Sequence, residues 1–227
     1  MGICQDRVVI ITGAGGGLGA AHAKVFAAEG AKVIVNDINQ DAAQKVVDEI
    51  AAAGGTAVVN TSDITNYDDS LNAVKQAIDT FGDLHVVLNN AGINRDRMFA
   101  SMTEADWDAI MAVHLKGHFC ITSHAVHYWR GQSKEGKAVD ARIINTTSGA
   151  GLQGSVGQSN YAAAKAGIAA LTLNQAAELA RYGITANAIA PAARTGMTTA
   201  VESMAQRMAK PDDGSFDYWA PENVSSL

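Results

Sequence analysis

The sequence predicts an α/β fold, a doubly wound parallel sheet with helices on both faces, built as a single domain. Two observations predict it. Short apolar runs rich in β-branched residues alternate with longer stretches of helical period, the arrangement that βαβ units on a parallel sheet require. The first such run passes into a glycine-rich turn and then an Ala-rich helix, and a length of 227 residues suits one domain.

Taken in order, the first strand is expected at 7–11, where four β-branched residues follow Arg7, and its helix at 18–29. Gly30 then stops that helix, because a left-handed cap position costs glycine little, and a strand follows at 31–36. The same reading puts a helix at 40–53 ending on Gly54, a strand at 56–60, a helix at 66–81 ending on Gly82, and a strand at 84–88. The fourth helix is expected at 103–129, since Thr103 followed three residues later by Asp106 resembles a capping box with Asp in place of Glu. Residues 131–140 carry Gly, Ser and four charges, and read as a solvated insertion before a strand at 141–146. A helix at 159–181 stops at Gly183, and the sixth strand is expected at 184–190. Beyond Pro191 the alternation fails. Residues 192–220, rich in Met, Thr and small side chains, are expected to form a mobile flap over a site, although a terminal helix with an irregular tail would leave the same pattern.

Composition removes several function classes. No apolar run approaches the roughly 18 residues that a membrane span needs, so no membrane partner is expected. The net charge is −6 without a block of like charges, which argues against nucleic acid. The first seven residues lead directly into the first strand without the regions of a secretion signal, and Cys4 and Cys120 form no paired framework. A cytoplasmic protein is expected. His114, His118, His124 and His127 lie at pairwise helical spacings but not on one helical face, and no HExxH accompanies them, so no metal is expected.

The first strand runs into Thr12-Gly13-Ala14-Gly15-Gly16-Gly17-Leu18-Gly19. Glycines let a backbone turn sharply against a pyrophosphate, whose charge is favoured by the N–H groups and positive end of the following helix. Asp37 follows the second strand near the offset at which an acidic residue meets an adenosine ribose. A carboxylate there repels a 2′-phosphate, and neither 14–16 nor 38–39 offers a basic residue to neutralise one, so NAD is favoured over NADP. Tyr161 and Lys165, four residues apart on the last long helix, share a face, and an ammonium beside a phenol favours phenolate. Ser148 stands just past the fifth strand, where open α/β sheets hold their ligands. A general base with a second hydroxyl beside it is therefore expected.

Over essentially its whole length the chain resembles the short-chain dehydrogenase/reductase family, on Thr12-Gly13-x-x-x-Gly17-x-Gly19, Asp63-Ile64, Asn89-Asn90-Ala91-Gly92, Ser148 and Tyr161-x-x-x-Lys165. The resemblance implies a Rossmann-like sheet and a hydride transfer between a secondary alcohol or ketone and a nicotinamide. It implies that Gly13, Gly17, Leu18 and Gly19 hold the pyrophosphate, and that Asp63 and Ile64 lie at the adenine. Asn89 would brace the sheet above the cofactor, Ala91 and Gly92 would let the backbone pass close to it, and Pro191 and Thr195 would lie at the nicotinamide. Ser148 would hold the substrate oxygen, Tyr161 would take its proton, and Lys165 would bond the nicotinamide ribose. Two departures stand out: His114 where many members carry an Asn that helps hold a water, and Ala192 where Gly is usual after the proline.

Residues 95–99, 113–117, 157–161 and 189–191 are most similar to the (3R)-hydroxyacyl-CoA dehydrogenase domain of peroxisomal multifunctional enzymes and their bacterial relatives, which implies a 3-hydroxyacyl thioester. Neighbouring branches that oxidise hydroxysteroids or reduce acyl-carrier-protein thioesters stay open, as does a nucleotide-sensing scaffold that lost the chemistry. The family commonly pairs through its fourth and fifth helices and a C-terminal segment, so a homodimer or homotetramer is implied. A seventh strand, usual in the family, is expected to be missing from a chain that stops at Leu227.

Overall fold

Six parallel strands form the sheet of the computed structural model, which describes residues 2–199 and 202–225. They are β1 (Val8–Thr12), β2 (Lys32–Asn36), β3 (Thr56–Asn60), β4 (Val86–Asn89), β5 (Ala141–Thr146) and β6 (Ile184–Ile189). Their order is β3-β2-β1-β4-β5-β6, so the winding reverses between β1 and β4. Each strand lies within two residues of its expected place.

The helices are α1 (Gly17–Ala28), α2 (Gln40–Ala52), α3 (Tyr67–Phe81), α4 (Glu104–Ile110), α5 (Gly117–Lys134), α6 (Gly149–Gln153), α7 (Ser159–Leu179), α8 (Gly196–Thr199) and α9 (Glu202–Arg207). Alternate strand residues feed two cores, as the period of two demands. Val9, Ile11, Val33 and Val35 meet Ala20, Ala23, Val46 and Ile50 of α1 and α2, while Val8, Ile10 and Ile34 meet Ala73, Val74, Ile121 and Trp129 of α3 and α5. Trp129 is fully enclosed and its indole N–H donates to the Leu84 carbonyl at 2.6 Å. The small residues of α1 allow it to lie close against β1 and thus bring its N-terminus to the end of that strand.

Gly30, Gly54, Gly82 and Gly183 all adopt positive φ, which accounts for where these helices stop. The Thr103 capping box forms as expected, the Asp106 N–H donating to Thr103 Oγ1 at 3.1 Å and the Thr103 N–H to Asp106 Oδ2 at 3.3 Å.

Two expectations need correcting. The helix expected at 103–129 is not continuous, because a π-helical turn at Met111–Lys116 separates α4 from α5. Nor does a loop begin at residue 131, since α5 runs to Lys134 before its last carbonyls are capped by Glu135, Gly136 and Lys137 N–H groups. The short α6 was not expected at all. The described residues after Pro191 hold α8 and α9, and Arg194 ties this segment to its far end: its backbone N–H donates to the Trp219 carbonyl at 2.7 Å, and its guanidinium to the Met208 carbonyl at 2.8 Å and the Asp217 carboxylate. Among the described residues there are six strands, with β6 at the sheet edge.

Candidate active site

The loops beyond β1, β2, β4, β5 and β6 open onto one cavity of about 380 Å³ at the reversal of strand order, the position where open α/β sheets bind ligands. Its floor at one end is the turn after β1. Gly13 has φ +63°, and a Cβ there would lie 2.7 Å from Ala91 Cα; one on Gly19 would lie 2.2 Å from the Gly13 carbonyl oxygen. Only glycine permits this approach of turn, helix and β4 loop. Gly16 caps α1 without a side-chain bond and the first turn carries no acid, so the leading N–H groups are left for an anion. Leu18 and Gly17 also line the cavity, and a Cβ on Gly17 would meet Thr195 at 3.5 Å.

At the far wall of this end, Asp37 accepts the Gly15 N–H at 3.0 Å through Oδ2 and the Asn39 N–H at 2.9 Å through Oδ1. It is at once a brace for the turn and a carboxylate presented to the cavity. Lys165 is the single cation among the described lining residues, so nothing near Asp37 is placed to neutralise an extra phosphate. The glycine cradle and the leading N–H groups of α1 thus fit the pyrophosphate of a dinucleotide.

Several expected residues stand outside the wall. Asn89 is fully buried and its Nδ2 donates to Thr122 Oγ1 at 2.8 Å and Asn145 Oδ1 at 2.9 Å, joining β4 to β5 and α5. The bracing of the turn falls to its neighbour, Asn90, whose Nδ2 donates to the Thr12 and Gly13 carbonyls at 3.0 and 3.2 Å. Thr12 completes the clamp by accepting the Asn90 and Ala91 N–H groups through Oγ1. The Asp63 carboxylate is engaged by the N–H and hydroxyl of Thr65, and the Ile64 side chain belongs to the core against Gly117. Pro191, Gly92 and Thr195 do line the cavity.

The other end gathers Ser148, Tyr161, Lys165 and His114. Ser148 is the N-cap of α6 and accepts the Ala150 N–H at 3.2 Å. Tyr161 lines the same cavity beside it. Asn160, fully buried, positions that phenol from behind: Nδ2 donates to the Arg95 and Asp106 carbonyls at 3.1 and 3.2 Å while Oδ1 accepts the Tyr161 N–H at 2.8 Å. Asn160 was missed from sequence, as was Asn90, although each adjoins a residue already singled out.

Lys165 is only 2% exposed; its ammonium donates to the Thr146 carbonyl at 2.6 Å and lies 5.6 Å from the centre of the Tyr161 ring. Burial pulls its pKa down to about 7. The same desolvation raises the Tyr161 phenol above its ordinary value, assisted by the Asp96 carboxylate and opposed by the Ser148 hydrogen bond. In the cofactor-free protein the phenol is therefore not held below its ordinary value, because the loss of water from its ionised form is the largest cause of its shift.

His114 sits on the π-helical turn, where the extra residue turns its ring toward the β4 loop. It is 1% exposed, Nε2 lies 2.8 Å from the Ile93 carbonyl, and its ring meets Tyr161 edge-on with centroids 5.1 Å apart. Burial, then the Lys165 charge, depress it to about 3, so it is neutral at physiological pH. His124 and His127 bond the Tyr67 and Ser123 carbonyls. No group of three or more metal-ligating side chains occurs among the described residues.

A sheet of this order, a glycine cradle at its switch point, and a serine, tyrosine and lysine sharing the same cavity define an oxidoreductase that binds a nicotinamide dinucleotide. The short chain dehydrogenase family model matches residues 7–206, and the chain belongs to that family. It is 47% identical over 230 residues to hydroxyacyl-CoA dehydrogenase ChsB1 of Mycobacterium tuberculosis, covering 98% of this chain and 71% of that one. It is 46% identical over 176 residues to peroxisomal multifunctional enzyme type 2 of Mus musculus, covering 74% of this chain but 23% of that larger protein. The crystal structure of a short chain dehydrogenase from Mycobacterium avium superposes with a TM-score of 0.88 at 57% identity, covering 99% of this chain and 76% of that one. No helix among the described residues is long and apolar enough to cross a membrane.

Proposed function

We propose that this chain is an NAD-dependent dehydrogenase acting on the hydroxyl of a 3-hydroxyacyl thioester. The observation that carries the reading is the gathering of Ser148, Tyr161 and Lys165 at one end of a cavity whose other end presents Asp37 without a neighbouring cation. In this role Ser148 donates to the substrate oxygen, Tyr161 Oη takes its proton, and Lys165 bonds a ribose hydroxyl and holds positive charge beside the phenol. A bound nicotinamide supplies the hydride acceptor and a second positive charge near Tyr161. Gly13, Gly17, Leu18 and Gly19 hold the pyrophosphate, Asp37 the adenosine ribose, and Asp63 and Ile64 lie at the adenine. Ala91, Gly92, Pro191 and Thr195 flank the nicotinamide. The thioester assignment is supported by the names of the hydroxyacyl-CoA and multifunctional relatives.

Residues 192–220 act as the substrate flap, and the protein works in the cytoplasm. It pairs as a homodimer through the face of α5 and α7, supported by the apolar groove of Met111, Leu115, Phe119 and Leu171, where Phe119 stays 51% exposed.

The test is NADH absorbance with 3-hydroxyacyl-CoA thioesters, hydroxysteroids and simple secondary alcohols, run in parallel with NAD and NADP. Turnover of the thioester with NAD is expected, and Asp37→Ala should narrow the preference for NAD. A preference for NADP in the unmodified protein would overturn the reading of Asp37, and turnover confined to a steroid would overturn the substrate.

A further inference from the structure

Residues 93–97, in the loop after β4, are held against the start of α7. At one end of this stretch His114 Nε2 lies 2.8 Å from the Ile93 carbonyl. At the other the Arg97 N–H donates to the Gly157 carbonyl at 2.8 Å, and Arg97 forms an isolated parallel bridge with Gln158. Between them the Arg95 carbonyl accepts Asn160 Nδ2 at 3.1 Å, and the Asp96 carboxylate accepts Gln158 Nε2 at 3.0 Å. Three consecutive residues of the loop thus grip the segment that leads into Tyr161.

Gln158 is the N-cap of α7, yet its side chain caps no N–H of that helix and is turned to Asp96 instead. The first turn of α7 carries no acid, so Asp96 supplies the negative charge that a helix N-terminus favours. Gln158 and Tyr161 are three residues apart and Tyr161 and Lys165 four, so the bond to Asp96 meets α7 on the face that carries both. The guanidiniums on either side of Asp96 are directed elsewhere: Arg97 Nε lies 3.8 Å from Asp106 Oδ2, and Arg95 Nη1 reaches the Asn94 carbonyl at 3.4 Å. The phenol itself is faced by Lys165 of α7, by neutral His114 of the π-helical turn and by Ser148 beyond β5. Among the described residues the acid whose charge opposes phenolate is Asp96.

We propose that Asp96 is a positioning residue for Tyr161: its bond to Gln158 fixes the first turn of α7, and its charge holds the phenol in the protonated form that donates to a carbonyl. The role rests on the reading of Tyr161 as the proton carrier of a dehydrogenase, but its first measurement needs no turnover. Asp96 is exposed, so water screens its charge and the electrostatic effect is modest.

The experiment is a pH titration of the Tyr161 phenol by NMR in protein carrying 13Cζ-labelled tyrosine, free and with NAD, the signal being assigned through Tyr161→Phe. Asp96→Asn keeps an acceptor for Gln158 and removes the charge. The Tyr161 midpoint should therefore fall by about half a pH unit, and the rising limb of the oxidation rate should move to lower pH with little change in KM. Gln158→Leu keeps the charge and removes the donor, and should lower kcat several-fold. Asp96→Ala, which loses charge and bond together, should show both changes, and it decides the matter if Gln158→Leu does not fold. An unmoved Tyr161 midpoint in Asp96→Asn overturns the proposal, as does wild-type kcat in Gln158→Leu. A lowered midpoint in a protein that oxidises no alcohol would leave the role of Asp96 standing and remove the dehydrogenase reading.

Discussion

Tyr161 and Lys165 show how far a residue's chemistry depends on its burial. In the protein alone the phenol is raised and the lysine lowered to about 7, so neither is poised by the other. The positive nicotinamide expected beside them favours phenolate. Phenolate absorbance should therefore titrate to lower pH when NAD is added, and Tyr161→Phe should lose that component. The same substitution should leave NAD binding intact and reduce turnover by about a hundredfold or more, since it deletes the proton acceptor from an otherwise unchanged helix. Near-normal turnover in Tyr161→Phe would shift attention to His114. Lys165 also makes a prediction about stability. Its folded pKa is depressed from the unfolded value of about 10.4, so between about pH 7 and 10 the unfolded chain holds a proton that the folded one lacks. The free energy of unfolding should accordingly rise with pH across that window in cofactor-free protein, and fall as pH descends through the folded pKa. Urea unfolding of wild type and Lys165→Met from pH 7 to 10 checks this, the slope being expected to shrink in the variant.

At the scale of elements, the arrangement of the site depends on two local devices. The π-helical turn at Met111–Lys116 inserts one residue into the register between α4 and α5 and sets His114 against the β4 loop, where a Cβ on Gly92 would lie 2.5 Å from His114 Cε1. The clasp of Arg194 on Met208, Asp217 and Trp219 joins distant parts of the proposed flap beside Thr195 and Thr198, which line the cavity. Arg194→Met should release that loop without touching the catalytic end. We expect several-fold faster proteolysis within 195–217 and a KM for substrate that rises by more than kcat falls. Equal proteolysis rates in the two proteins would show that the clasp does not hold the flap.

For the whole molecule, the proposed homodimer makes its own prediction. The groove at Met111, Leu115, Phe119 and Leu171 is apolar and lies on α5, α7 and the π-helical turn, away from the cavity. Placing a charge at its centre with Phe119→Glu should give a monomer by sedimentation velocity while leaving the fold, read by circular dichroism, intact. An unchanged sedimentation coefficient in a wild-type oligomer would move the interface to another face.

The six strands, the long covering helices and the glycine stops were legible in the sequence, because a buried parallel strand needs a short β-branched run and a helix end needs a left-handed residue, and both are local demands. The same holds for the Thr103 capping box, and for Ser148, Tyr161 and Lys165 as candidates, since strand ends and a four-residue helical spacing already place them near one another. Nothing local announces the π-helical turn in Met111-Ala112-Val113-His114-Leu115-Lys116, which is tied to the packing of His114 on Gly92 and Ile93. Nor could spacing tell that Asn90 clamps the turn while Asn89 bonds Thr122 of α5, or that Asn160, beside Tyr161, is anchored on the Asp106 and Arg95 carbonyls 54 and 65 residues away. Those depend on which strand ends meet in three dimensions. The sign of the Tyr161 shift was decided at the same level: sequence brings an ammonium and a phenol together, but only the packed interior determines how much water each has lost, and here that loss raises the phenol and lowers the lysine.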